Sequence, residues 1–166
     1  MRVLVIDVAA SEGGALTILE SFYNHIKKFD KSNEYIFVLS DYYLSEESNI
    51  KVDVYSDVKK SYFNRLKFDY CFGKKLIKKW SPDVVFSMQN TIFHNIGNVR
   101  QVVYMHQSIP FQTLKKFNIL NNKERKLAII QYFIGYCIKK SVKKANNVIV
   151  QTNWIKEAVI KKTKID

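Results

Sequence analysis

Short apolar runs alternate with amphipathic stretches along almost the whole chain. Residues 2 to 7 form an apolar run of the kind a strand buried on both faces requires. Residues 15 to 28 then set Ala15, Ile18, Leu19, Phe22, Tyr23 and Ile26 at helical spacing on one side. A second strand is predicted over 35 to 39, a surface loop rich in Ser, Glu and Tyr over 41 to 49, and a third strand near 50 to 55. From 63 to 80, Phe63, Leu66, Tyr70, Gly73, Ile77 and Trp80 recur at steps of three and four with lysines between them, which predicts an amphipathic helix. Ser81-Pro82 stops it, because the residue before a proline is pushed out of the helical region. Further short, apolar, β-branched strands are predicted over 84 to 88, 100 to 105 and 147 to 152. Between the last two, a helix over 123 to 145 carries Leu127, Ile130, Ile134, Ile138 and Val142 on one face, widened by Ile129, Tyr132, Phe133 and Tyr136. That arc is broader than one sheet contact needs. Asn153 is placed to cap a last helix running through Ala158 and Val159. Strands alternating with helices predict an α/β fold with an open, mostly parallel, doubly wound sheet and helices on both faces.

A chain of 166 residues matches one ordinary domain with a core that needs neither disulfides nor metal. Apolar residues make up 47% and aromatics 14%, which argues against disorder and leaves apolar surface to spare. Cys71 and Cys137 fall in helical stretches among aromatics and are expected to be buried thiols. The opening run is too short for a signal peptide, and the apolar window near 127 to 138 is broken by Gln131 and Gly135, short of a membrane span. The net charge of +12 changes the picture more through its distribution than its total. Lys59, Lys60, Arg65, Lys67, Lys74, Lys75, Lys78 and Lys79 form one basic segment whose one acidic member is Asp69, and Lys139, Lys140, Lys143 and Lys144 form another. Such fields favour an anionic partner: a membrane surface, a nucleic acid or a phosphorylated substrate.

In sheets of this kind ligands collect beyond the carboxyl ends of the strands, and three loops fall there. Ser11-Glu12-Gly13-Gly14 follows the first strand; its glycines either expose helix-start amides to an anion or make a tight turn with no ligand. Gln89-Asn90-Thr91, with His94 and Asn95 behind, follows the fourth, and can hydrogen-bond a hydroxyl-rich ligand or simply cap the loop. His106-Gln107-Ser108 follows the fifth, where an imidazole can act as acid, base or neutral donor, or hold the loop. His25 lies apart on a helix. The Gly-x-Gly-x-x-Gly spacing of dinucleotide sites is missing, as are the Gly-Lys-Ser/Thr of phosphate loops and the Gly-x-Ser-x-Gly elbow of hydrolases. Histidines, cysteines and carboxylates show no metal-ligand spacing, so no metal is expected.

Four landmarks in this order resemble the amino-terminal domain of a GT-B glycosyltransferase, of the retaining family that includes bacterial capsule and lipopolysaccharide sugar transferases. They are Glu12-Gly13-Gly14-Ala15, Ser81-Pro82-Asp83-Val84-Val85, Tyr104-Met105-His106-Gln107, and the stretch Ala145-Asn146-Asn147-Val148-Ile149-Val150-Gln151-Thr152-Asn153-Trp154. The resemblance implies a Rossmann-like domain that holds the acceptor, a glycan or lipid-linked acceptor. The nucleotide-diphosphate sugar donor would sit mostly in a carboxy-terminal domain, with no tightly bound cofactor. It implies a catalytic role near the transferred sugar for His106, a place beside the donor phosphates for Gly13 and Gly14, and acceptor or sugar contacts for Gln89, Asn90, Thr91, Gln107 and Thr152. Gln107 departs from the acidic or small residue common after that histidine. The second domain is absent after Asp166, which predicts an acceptor-binding domain of a transferase in cell-surface glycan synthesis that is inactive until a donor-binding domain or split partner subunit is supplied. The alternative is a non-catalytic subunit that recruits a catalytic partner to membrane-bound acceptor. Nucleic acid is not an expected partner, since no reading motif accompanies the charge. A cytoplasmic, peripheral place on the inner face of the cell membrane is expected. The anionic surface would be met by Lys74, Lys75, Lys78, Lys79 and Trp80, with Phe63, Phe68, Tyr70 and Phe72 beside them.

Overall fold

A computed structural model of the chain describes residues 1–10 and 12–165, with backbone alone at Lys59, Lys60, Tyr62, Phe63 and Leu66. Ser11 and the side chains of Lys59, Lys60, Phe63 and Leu66, all singled out above, therefore lie outside the described residues. Six strands form one sheet: β1 (Arg2–Asp7), β2 (Glu34–Leu39), β3 (Ile50–Val54), β4 (Val84–Ser87), β5 (Arg100–Met105) and β6 (Asn147–Val150). Their order is β3-β2-β1-β4-β5-β6, and all five ladders are parallel. This is a Rossmann-like α/β fold. The order reverses between β1 and β4, so the loops that follow these two strands diverge and leave a crevice at their carboxyl ends.

Helix α1 (Gly13–Phe29) packs Leu19, Tyr23 and Ile26 against Val3, Val5, Phe37 and Leu39 on one face of the sheet. The opposite face, Leu4, Ile6, Ile36, Val38 and Val85, is covered by Phe68 and Leu76. These belong to a helical run made of α2 (Tyr62–Lys67), a π-helical turn (Phe68–Phe72) and α3 (Gly73–Trp80). A second run, α4 (Arg125–Ile129), a π turn (Ile130–Ile134) and α5 (Gly135–Lys144), continues on that face over β5. There Met105 meets Ile138 and Val142, and α6 (Asn153–Thr163) adds Ile155 and Val159. The β4 to β5 connection has no helix. Its loop instead buries Ile92, Phe93 and Ile96, and the Gln101 carboxamide bonds both the N–H (2.9 Å) and the carbonyl (3.0 Å) of Phe93.

The π turns correct two helical faces expected from 3.6-residue spacing, since each inserts an extra residue and rotates the chain before it relative to the chain after. In the first run Tyr70 turns outward, 37% exposed, while Phe68 and Leu76 become the core residues. In the second, Ala128, Gln131 and Gly135 face inward, and Ile130 and Ile134 are left half-buried. Each turn ends at a glycine against which a site loop is pressed. A Cβ on Gly73 would lie 2.8 Å from Cβ of Phe93, and one on Gly135 would lie 2.7 Å from Cβ of Pro110. Helix propensity alone favours Ala over Gly by up to about 1 kcal/mol, but overpacking against these inflexible atoms costs roughly 1–3 kcal/mol. Gly73→Ala and Gly135→Ala are therefore each expected to lower the urea midpoint; a rise at either would show that its loop yields freely.

Two smaller expectations are also corrected. Thr152, not Asn153, occupies the cap position of α6 and makes no side-chain cap, because β6 ends at Val150 and the helix starts one residue early. Cys71 is exposed and Cys137 half-buried, because the π turns rotate both off the core face.

Candidate functional site

The crevice at the switch point holds a cavity of about 620 Å³ with two unlike sides. One is polar: Arg65 and Asp69 from the first helical run, Gln89, Asn90 and Thr91 beyond β4, and Gln107 beyond β5. The other is apolar, formed by Ile129, Ile130, Phe133, Ile134 and Ile138 of the second run, with Cys137 among them and Ile119 from the loop after β5. Gln131 anchors that loop, accepting from the Phe117 N–H (2.9 Å) and donating to the Lys115 carbonyl (2.8 Å).

The polar side is a closed network. The Arg65 guanidinium donates to Gln89 Oε1 and to Thr91 Oγ1 (3.2 Å), and lies 3.7 Å from Asp69 Oδ1. Gln89 Nε2 (3.0 Å) and the Thr91 hydroxyl (2.7 Å) donate to the two Asp69 oxygens. Burial pushes the Asp69 carboxyl up, opposed by Arg65 and by the Thr91 and Gln89 bonds. Asp7, at the end of β1, is pushed up to about 7 by burial, against the Ala10 N–H bond and the charge of Arg65. Burial thus raises both carboxyls that share the field of the Arg65 guanidinium.

Asn90 takes a positive φ of 67°. This orientation lets its Oδ1 accept the backbone N–H groups of both His106 and Gln107, each at 2.8 Å. The amide nitrogen is thereby fixed at the other end, 3.1 Å from His106 Nε2. Since that nitrogen can only donate, Nε2 is the acceptor and the ring proton resides on Nδ1. Burial lowers the His106 pKa, so the ring is neutral at pH 7. In this tautomer Nδ1–H is the group that His106 has to donate. Gln107 uses Oε1 for the Ile109 N–H (3.3 Å).

The structure thus gathers Gln89, Asn90, Thr91 and Gln107 at one cavity, with His106 bonded to Asn90. It does not bring the others there. Gly13 and Gly14 begin α1, exposed, with φ of 63° at Gly13 and open space where either Cβ would stand; among the described residues of that connection, Ala9 lines the cavity. Thr152 is exposed beyond the edge strand. His94 is buried and stacked on Tyr70 (centroids 4.1 Å apart), and Asn95 is a turn residue with φ of 60°. Trp80 donates its indole N–H to Asp53 (2.8 Å), which also pairs with Lys79 (2.8 Å). Phe68 is fully buried and Phe72 packs against the same core, so these two are withdrawn from the outward set, while Tyr70 is exposed. Lys74, Lys75 and Lys78 remain exposed. Three exposed aromatics, Tyr132 (50%), Phe133 (60%) and Tyr136 (68%), cluster on the second run beside the cavity, while Phe29, Tyr42, Tyr70 and Trp154 are exposed elsewhere. Among the described residues, no helix is long and apolar enough to cross a membrane.

The sequence reading missed Asp7, Arg65 and Asp69 as site residues. For Arg65 and Asp69 the signal was a lone acid in a lysine-rich helix, four residues from an arginine, on the side that also carries Phe68 and Leu76.

Fold and site together define a Rossmann-like α/β domain with a two-sided cavity at its switch point. No protein-family model and no curated protein matches the chain. Among solved structures, it is similar to a dTDP-glucose 4,6-dehydratase from Bacillus anthracis in complex with NAD, at 14% identity and a TM-score of 0.44. The match covers 90% of this chain, which spans 53% of the dehydratase. The activity and the NAD belong to that enzyme; the dinucleotide glycine spacing is missing here.

Proposed function

We propose that this chain is the acceptor-binding domain of a nucleotide-sugar-dependent glycosyltransferase of GT-B type acting in cell-surface glycan synthesis. The observation that carries the reading is the convergence of three neutral residues beside the switch-point cavity: the Asn90 carboxamide holds the His106 ring and the backbone N–H groups of both His106 and Gln107, and the Gln107 carboxamide lines the cavity. Neutral amides and a neutral imidazole donor suit sugar hydroxyls. In this reading His106 orients a hydroxyl or ring oxygen at the reacting sugar, while a separate domain supplies the donor diphosphate site. The test is transfer of labelled sugar from nucleoside diphosphate sugars to lipid extracts of the source cells, by the chain alone and with a carboxy-terminal donor domain supplied. Transfer only on combination is expected, and efficient transfer by the chain alone would contradict the reading.

The alternative, a recruiting subunit without catalytic residues, draws support from the exposed Tyr132, Phe133 and Tyr136 and from the exposed lysines of the first helical run. Both readings place the chain on the cytoplasmic face of an anionic membrane, where each lysine near the surface contributes about 1 kcal/mol before screening. Sedimentation with anionic liposomes is expected to weaken as salt rises. It is also expected to fall several-fold when Lys74, Lys75, Lys78 and Lys79 become Gln, and further when Tyr132 and Tyr136 become Ser. Equal recovery of all variants would remove the membrane from the account.

A further inference from the structure

We infer that the switch-point cavity takes an amphiphile, with a hydroxylated, uncharged head at Asn90 and Gln107 and an aliphatic chain along Ile129, Ile130, Phe133 and Ile134. The head rests on the reading of the cavity as an acceptor site; the chain rests on the wall itself.

A ligand that is polar throughout fits this cavity poorly, because hydroxyls turned toward the second helical run would lose water and find no partner among its side chains. A wholly apolar ligand would in turn bury the Gln107 carboxamide and the second amide N–H of Asn90 without replacing their water. The sides are separated, which matches a molecule with one end of each kind. The head is better uncharged than anionic. Arg65 and Asp69 are the cation and the anion among the lining residues, and Arg65 is already engaged by Gln89, Thr91 and Asp69. Gln107 Nε2 has no partner among the described residues and can donate to a hydroxyl.

The wall also has an outlet. Ile119 and Phe133 line the cavity yet are 54% and 60% exposed, and next to them Leu120 (83%), Tyr132 and Tyr136 stand in the open. A chain can therefore pass from an apolar outer surface to an apolar inner wall without crossing polar groups. The π turn at Ile130–Ile134 makes this possible by rotating those residues off the core.

Cys137 lies on the wall and reports occupancy. In a Cys71→Ser chain, whose lost thiol is exposed, alkylation of Cys137 is followed by mass spectrometry with methyl, hexyl, octyl and decyl β-D-glucoside below their micellar concentrations. Protection is expected from the longer glucosides, with the half-protecting concentration falling by up to about fourfold per methylene, the gain from burying one methylene. Decanol is expected to protect about tenfold more weakly than decyl glucoside, and Phe133→Ser to flatten the chain-length series. Equal protection by methyl and decyl glucoside, or none by any, would overturn the proposal. So would protection that grows with protein concentration alone, which would give the cavity to a second copy. Chain-length-dependent protection without sugar transfer in the reconstituted system would uphold the amphiphile and remove the acceptor reading. Transfer to water-soluble and lipid-linked acceptors at equal rates would do the reverse.

Discussion

At pH 8 the Asp7→Asn chain is expected to be more stable to urea than the wild type by about 4 kcal/mol, and the two are expected to converge near pH 4. Asp7 is 2% exposed at the end of β1, and burial raises its pKa from 3.8 to about 7. Below pH 3.8 folded and unfolded chains both hold the proton. As pH rises from there the unfolded chain releases it while the folded chain keeps it, so stability falls until the folded carboxyl ionises near 7. That window is about three pH units wide, at roughly 1.4 kcal/mol each. Asn does not ionise, and its Oδ1 can still accept the Ala10 N–H that Asp7 binds at 3.2 Å. Burial outweighs the nearby charge of Arg65, which favours the carboxylate. Urea titrations of both chains from pH 4 to pH 8 check this; parallel curves would mean that Asp7 is not held protonated by the fold.

Asp69→Ala is expected to cost about 3–5 kcal/mol, the penalty for leaving a buried charge without its partner. Asp69 is 3% exposed, and removing it strips Arg65 of its near carboxylate while Gln89 Nε2 and the Thr91 hydroxyl lose their acceptor. The double change Arg65→Met with Asp69→Leu removes both charges and fills the space, so it is expected to cost less than Asp69→Ala alone. Urea unfolding of the three chains separates the cases. A loss below about 1 kcal/mol for Asp69→Ala would mean that the guanidinium is solvated rather than buried.

The sheet was legible because strands buried on both faces leave continuous apolar runs, and all six predicted strands are present within a residue or two at their ends. The polar loops were legible because Gln89-Asn90-Thr91 and His106-Gln107 sit where parallel strands end. What the sequence concealed has two physical causes. A π turn carries no signature in a pattern read at 3.6 residues per turn, so the wall formed by Ile130, Phe133 and Ile134 looked like core. The pairing of Arg65 with Gln89 and Thr91 spans 24 and 26 residues, and depends on a fold in which the β3 to β4 helix crosses the end of β4. The aromatics of the basic helix were ambiguous for a simpler reason: Phe68, Phe72 and Trp80 alternate with lysines whether they face lipid or the sheet, and here they pack on the sheet side while Tyr70 does not.

The central claim is tested most directly by His106→Ala in the reconstituted transfer reaction, with folding of the variant verified by its urea midpoint. If the chain is an acceptor domain whose histidine donates Nδ1–H at the reacting sugar, turnover is expected to fall by about two orders of magnitude, the usual cost of removing one such donor, while binding of alkyl glucosides persists. Unchanged turnover by His106→Ala would contradict the account and favour the recruiting subunit.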